Sequence, residues 1–104
     1  MMDEIERGYR DKLEDELRQG EQAAQLLRHP LFVSAFETLE QEIVDKWKQS
    51  TSLSVDAREK LHIMLFLLGK VRTHIQAHVE TGQLAQATLK QKMARVVGRN
   101  SMPL

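Results

Sequence analysis

The sequence has 104 residues and a mass of 12.0 kDa, which suits one domain (residues 1–104) and excludes two independent hydrophobic cores. Its composition, 41% hydrophobic and 29% charged with few aromatic and β-branched residues, excludes an intrinsically disordered chain and predicts an all-α fold. The formal net charge is 0 and there is no cysteine, which excludes disulfides, thiolate nucleophiles and thiolate metal ligands.

The predicted elements begin with an amphipathic helix over about residues 3–28, where apolar residues recur at helical spacing. Pro30 disfavours helical geometry at His29 but suits a first helical turn. His29 is therefore predicted to be a junction, and a second helix is predicted to begin at Pro30. The apolar stripe of this second helix follows steps of 3 and 4 residues: Phe32, Phe36, Leu39, Ile43 and Trp47.

A third helix is predicted over about residues 55–81, with Ser54 as its N-cap and Gly82 as its C-cap. The short connection before it predicts that the second and third helices form an antiparallel hairpin over about residues 30–81. A short basic helix over about residues 83–97 is expected to follow and to end at Gly98, leaving residues 98–104 as a tail. The first and last helices then flank the hairpin.

The third helix carries more apolar residues than one neighbouring helix can cover. Ile63, Met64, Phe66 and Leu67 lie in a run that is apolar around the whole helix, and His74 follows. Another helix of the same chain, a second subunit or a different partner could cover the outer side. These five residues are the predicted oligomer or partner interface.

Arg72 interrupts the inner apolar stripe of the third helix, where an uncompensated charge is costly. We therefore expect a structural buried charge, paired with a carboxylate such as Glu40 or Glu42 or with one from another subunit.

His74 and His78 have the i, i+4 spacing that lets two imidazoles bind one metal ion. No third ligand occupies a matching position, since His62 projects about 120° away from His74 at 100° per residue. The sequence therefore predicts no metal site and favours a surface or interface role for the pair.

Charge is unevenly distributed along the sequence. Residues 1–20 hold seven acids and four bases, whereas residues 83–104 hold four bases and no acid. The four bases form a predicted basic stripe: Lys90, Lys92, Arg95 and Arg99. A solvated helix face, an acidic protein partner and nucleic-acid phosphate all fit this stripe, and the opposite charges could also join neighbouring copies.

No motif in the sequence indicates catalysis. A Gly-rich phosphate loop, a nucleophile elbow and paired acids in an active-site pattern are all missing, so we expect neither an enzyme nor a bound cofactor or small-molecule substrate. The longest apolar run, residues 63–68, is too short to cross a membrane, and residues 1–10 lack the pattern of a secretory signal. We expect no membrane partner and no secretion.

Within residues 24–85 the sequence has a pattern of helix-packing positions: residues 24–40, Trp47, Thr51, residues 58–61, residues 70–74 and residues 80–85. In this pattern the chain resembles small proteins of tailed bacteriophages and prophages that are encoded among virion-assembly genes. The resemblance implies a phage particle or its assembly, hence the virion or the host cytoplasm. It implies no activity and no functional residue.

The leading hypothesis is therefore a phage virion structural or assembly protein that forms a homo-oligomer and contacts other phage structural proteins. The alternative is a DNA-binding packaging factor, similar to a small terminase subunit, with the basic stripe on phosphates. A third hypothesis is a regulator that binds a host protein.

Overall fold

The computed structural model describes residues 4–50 and 54–101, with side chains described up to residue 96. This part of the chain contains three helices and no strand: α1 (Glu4–Arg28), α2 (Pro30–Lys48) and α3 (Val55–Ser101). The predicted all-α fold is confirmed. None of these helices has a stretch long and apolar enough to cross a membrane.

The junction between α1 and α2 is at His29, as predicted. His29 has extended geometry (φ −67°, ψ 124°), and Pro30 occupies the first turn of α2. The Leu31 backbone N–H donates to Nδ1 of His29 at 3.2 Å. The imidazole thus caps one of the N–H groups that a helix start leaves without a partner.

Serine side chains lie at both described ends of the connection between α2 and α3. The Ser50 hydroxyl donates to the Trp47 carbonyl. The Ser54 hydroxyl accepts from the Ala57 backbone N–H at 3.2 Å, which confirms Ser54 as the predicted N-cap of α3.

Replacing Ser54 with alanine removes this cap and is expected to lower the free energy of unfolding by about 1 kcal/mol. Ser34→Ala, on an exposed face inside α2, is the control and should change it by less than about 0.5 kcal/mol. Urea denaturation followed by circular dichroism measures both. Equal effects of the two substitutions would contradict the capping role of Ser54.

The predicted end of the third helix at Gly82 is wrong. Helix α3 continues without a break through Gly82 and Gly98 to Ser101, so residues 83–97 are not a separate helix and residues 98–101 are not a tail. A glycine C-cap of the predicted kind adopts positive φ, and none of the described glycines does so. Residues 83–97 are mostly good helix formers and allow α3 to continue. Residues 102–104 lie outside the described part.

The chain divides into two compact units. Among the described residues, unit 1 combines residues 4–24 with residues 77–101, and unit 2 lies within residues 25–76. The acidic first segment and the basic last segment therefore belong to the same unit. Contact between copies, one of the alternatives for these opposite charges, is not needed to bring the two segments together.

Unit 1 is an antiparallel pair formed by α1 and the last part of α3. Tyr9 contacts Lys92 and Gly20 contacts Gly82, so residue numbers fall along α3 as they rise along α1. The most buried apolar side chains of this unit are Leu13, Ala23 and Ala85. Alanine and glycine dominate this core, which lets the two helices approach closely.

Two glycines bring the backbones of α1 and α3 close together in unit 1. A Cβ atom on Gly20 would lie 2.8 Å from the Gly82 Cα and 2.9 Å from the His78 carbonyl oxygen. A Cβ on Gly82 would lie 2.8 Å from the Gly20 Cα and 3.1 Å from the Glu16 carbonyl oxygen. All four of these neighbouring atoms are backbone atoms, so neither position has room for a side chain.

Unit 2 has the antiparallel contacts that the predicted hairpin requires. The Arg58 guanidinium of α3 lies 5.0 Å from the Trp47 ring centroid, and that of Arg72 lies 5.1 Å from the Phe36 ring centroid. Phe36 and Ile43 of α2 are buried, and the Phe32 and Phe36 rings are 4.6 Å apart. The predicted inner stripe of α3 is half-buried: Leu61, Leu65, Leu68 and Ile75.

Candidate protein-protein interface

The first candidate site is the outer side of α3 in unit 2. The four apolar residues predicted there are exposed: Ile63 by 52%, Met64 by 51%, Phe66 by 59% and Leu67 by 55%. Val71, which was not predicted to belong to this interface, adds a fifth exposed apolar side chain. We call these five residues the α3 surface. One of the three predicted alternatives was that another helix of the same chain covers these side chains. For the described residues this alternative is wrong, because the side chains are exposed.

The α3 surface points away from the core of unit 2. At about 100° per residue, Ile63, Leu67, Val71 and Met64 span about 100° of the helix, and the centre of this arc lies about 130° from the direction of Leu61 and Leu65. Phe66 extends this arc on one side. The Lys70 ammonium lies 5.6 Å from its ring centroid, so a cation borders the apolar area.

His74, predicted to belong to the same interface, is exposed and lies two turns after Leu67 on this side of α3. His78 is also exposed. Within the described residues, no group of three or more His, Cys, Asp or Glu side chains could hold a metal ion.

Arg72 is not the predicted buried charge. Its side chain is exposed, and its guanidinium lies over the Phe36 ring. In the described chain, the carboxylates of Glu40 and Glu42 form no ion pair with it. A guanidinium stacks on an aromatic ring while its edge stays in water, which avoids the cost of burying the charge.

The described residues of the predicted basic stripe differ in their exposure and contacts. Lys92 is half-buried, with its ammonium 4.2 Å from the Tyr9 ring centroid, whereas Lys90 and Arg95 are exposed. The side chain of Arg99 lies outside the described part. The structure brings Lys92 and Arg95 together beside a groove and leaves Lys90 out of it.

This groove, the second candidate site, lies between α1 and the last part of α3 in unit 1. It has a volume of about 300 Å³. Its apolar floor is formed by Leu89, Met93 and Val96, and its charged side chains come from both helices: Glu6, Arg10, Lys92 and Arg95. We call these seven residues the unit 1 groove.

Glu6 and Arg10 line this groove but were not among the predicted site residues. Both lie on α1, and only the packing of α1 against α3 brings them beside Lys92. The apolar step from Leu89 to Met93 was visible in the sequence, but it predicts a core face equally well.

No protein-family model matches the sequence, and comparisons with curated proteins and with solved structures give no significant match. The assignment of a function therefore depends on the α3 surface, the unit 1 groove and the residues around them.

Proposed function

We propose that this chain is a structural or assembly protein of a bacteriophage particle that works as a homo-oligomer through protein-protein contacts. The observation that carries the proposal is the α3 surface, where five large apolar side chains are each about half exposed. The phage context comes from the resemblance within residues 24–85. Other phage structural proteins are the further partners, in the virion or in the host cytoplasm during assembly.

The size of the α3 surface favours a second copy of the chain as its partner. Half-exposed side chains of this size each leave roughly 100 Å² accessible, so the surface offers on the order of 500 Å² of mostly apolar area. A standard interface buries about 800 Å² per partner, so the α3 surface would form most of one. An apolar patch is compatible with itself across a twofold axis, whereas a charged patch is not.

Leu67→Glu is expected to convert the oligomer into a monomer, because it places a carboxylate in the middle of the α3 surface and opposite its symmetry mate. The matched control is Leu84→Glu, also on α3 but in unit 1, where Leu84 is 70% exposed and far along the sequence from the surface. Light scattering across a range of salt concentrations gives the mass of the wild type and of both variants.

The wild type and Leu84→Glu should have the same multiple of 12.0 kDa at low and high salt, since apolar contacts are not screened. A wild-type monomer at every salt concentration, or an oligomer that Leu67→Glu leaves intact, would refute self-association through the α3 surface.

The alternative function, a DNA-packaging factor, has weaker support. Phosphate binding along a duplex needs a row of several cations, but the groove brings together only two residues of the predicted basic stripe, Lys92 and Arg95, and leaves Lys90 outside. The unit 1 groove also has an apolar floor, which a phosphate backbone does not require.

A further inference from the structure

We infer that the unit 1 groove binds an amphipathic, acidic helix of another protein, with its apolar side chains on the groove floor and its carboxylates against Lys92 and Arg95. This inference concerns a different surface from the one used for self-association and goes beyond the proposed function. It would hold for a monomer as well.

The shape of the floor favours a helix as the occupant. Leu89, Met93 and Val96 follow each other at steps of 4 and 3 residues, so they form one apolar stripe along two turns of α3. Such a stripe pairs with apolar residues at the same spacing on a second helix. Met93 is 62% and Val96 58% exposed, so the groove is too open to enclose a small ligand.

The charges at the groove favour an acidic partner. Arg10 donates to Glu14 at 3.2 Å, so its charge is already partly neutralised. Lys92 contacts the Tyr9 ring, which holds its ammonium in place without cancelling its charge. Arg95 is exposed and forms no ion pair with the described side chains. Glu6 is the one acidic residue of the groove lining, so the positive charge of Lys92 and Arg95 is available to a partner.

The test uses the full chain and a fluorescent helical peptide of about 18 residues, with leucine at steps of 3 and 4 and glutamate beside it. A second peptide has lysine in place of every glutamate. Fluorescence anisotropy at low salt should show binding of the acidic peptide and at least about tenfold weaker binding of the basic one.

Arg95→Glu is expected to weaken binding of the acidic peptide about fivefold, because it replaces an attractive charge with a repulsive one. Lys90→Glu is the matched control: it makes the same change in charge on the same helix but outside the groove, and it should alter the affinity by less than about twofold at moderate salt. Met93→Ser removes part of the floor and should also weaken binding. Circular dichroism checks that each variant is folded.

The inference is overturned if the two peptides bind equally, if Arg95→Glu and Lys90→Glu have the same effect, or if Met93→Ser leaves the affinity unchanged. A duplex DNA of random sequence is included in the same assay. If the DNA binds more tightly than the acidic peptide and Arg95→Glu abolishes that binding, the basic residues serve phosphate and the inference is also wrong.

Discussion

Gly82→Ala is expected to destabilise the protein by about 2 kcal/mol, although alanine is the better helix former by about 1 kcal/mol. The new methyl group would lie 2.8 Å from the Gly20 Cα and 3.1 Å from the Glu16 carbonyl oxygen. Because these are backbone atoms, α1 and α3 must move apart to relieve the clash, and unit 1 then loses packing around Leu13 and Ala85. Gly20→Ala should have a similar effect for the same reason.

Two other glycines of the same helices serve as matched controls. A Cβ atom on Gly8 of α1 or on Gly69 of α3 would have no neighbour within 4 Å. Gly8→Ala and Gly69→Ala should therefore stabilise the protein by up to about 1 kcal/mol through helix propensity alone. Thermal or urea denaturation gives the sign directly. If Gly82→Ala raised stability as Gly69→Ala does, the close contact between Gly20 and Gly82 would be refuted.

Phe36→Ala is expected to lower the free energy of unfolding by about 3 to 4 kcal/mol. Phe36 is 8% exposed, and its ring contacts Phe32 and Arg72. The truncation removes the buried ring that α2 contributes to the core of unit 2. It leaves a cavity that α2 and α3 cannot fill without shifting. Urea denaturation followed by circular dichroism measures the loss.

Phe66→Ala makes the same chemical change at a phenylalanine that is 59% exposed on the α3 surface. For the monomer it should change stability by less than about 1 kcal/mol, while it weakens self-association. Unfolding must be measured at several protein concentrations, because association stabilises the folded state by mass action. A loss for Phe66→Ala as large as that for Phe36→Ala at high dilution would contradict the assignment of these two residues to surface and core.

Helix boundaries were predicted correctly from the local sequence where a residue type has one strong conformational or hydrogen-bonding preference. Pro30 fixes its own φ and restricts His29, so the boundary between α1 and α2 was predicted correctly. Ser54 was identified as an N-cap because its hydroxyl can accept a backbone N–H one turn ahead. The periodicity of α2 and α3 also separated the inner stripe from the α3 surface, since both depend on helix geometry alone.

The prediction that Gly82 ends the third helix was wrong because neighbouring residues in the sequence do not determine the role of a glycine. Gly82 fits a C-cap or a close helix contact equally well, and the choice depends on whether Gly20 lies opposite. No spacing within α3 contains that information, because α1 and α3 are far apart in sequence. The prediction that Arg72 is buried was wrong for a related reason. Its position on the inner side of α3 was correct, but its guanidinium lies over the Phe36 ring and stays exposed, and the sequence of α3 alone does not show where that ring lies.

The two candidate sites differed in how visible they were in the sequence. The α3 surface was predicted residue by residue, with Val71 the one omission, because it lies on a single helix. The unit 1 groove was not predicted, because it requires Arg10 of α1 to lie beside Lys92 of α3. The basic stripe was therefore interpreted as one exposed face, although the structure separates Lys90 from Lys92 and Arg95.

The chain segments that make up the two units set an order in which the units can form. Unit 2 joins neighbouring segments, α2 and the first part of α3, across the short connection at residues 49–54, so the entropy lost in closing it is small. Unit 1 joins residues 4–24 to residues 77–101, and all of unit 2 lies between them. Helix α1 is synthesised before α2 and α3, yet its Leu13 and Ala23 cannot be covered until the last part of α3 has been made. Of these three helices, the first to be made is thus the last to find its partner.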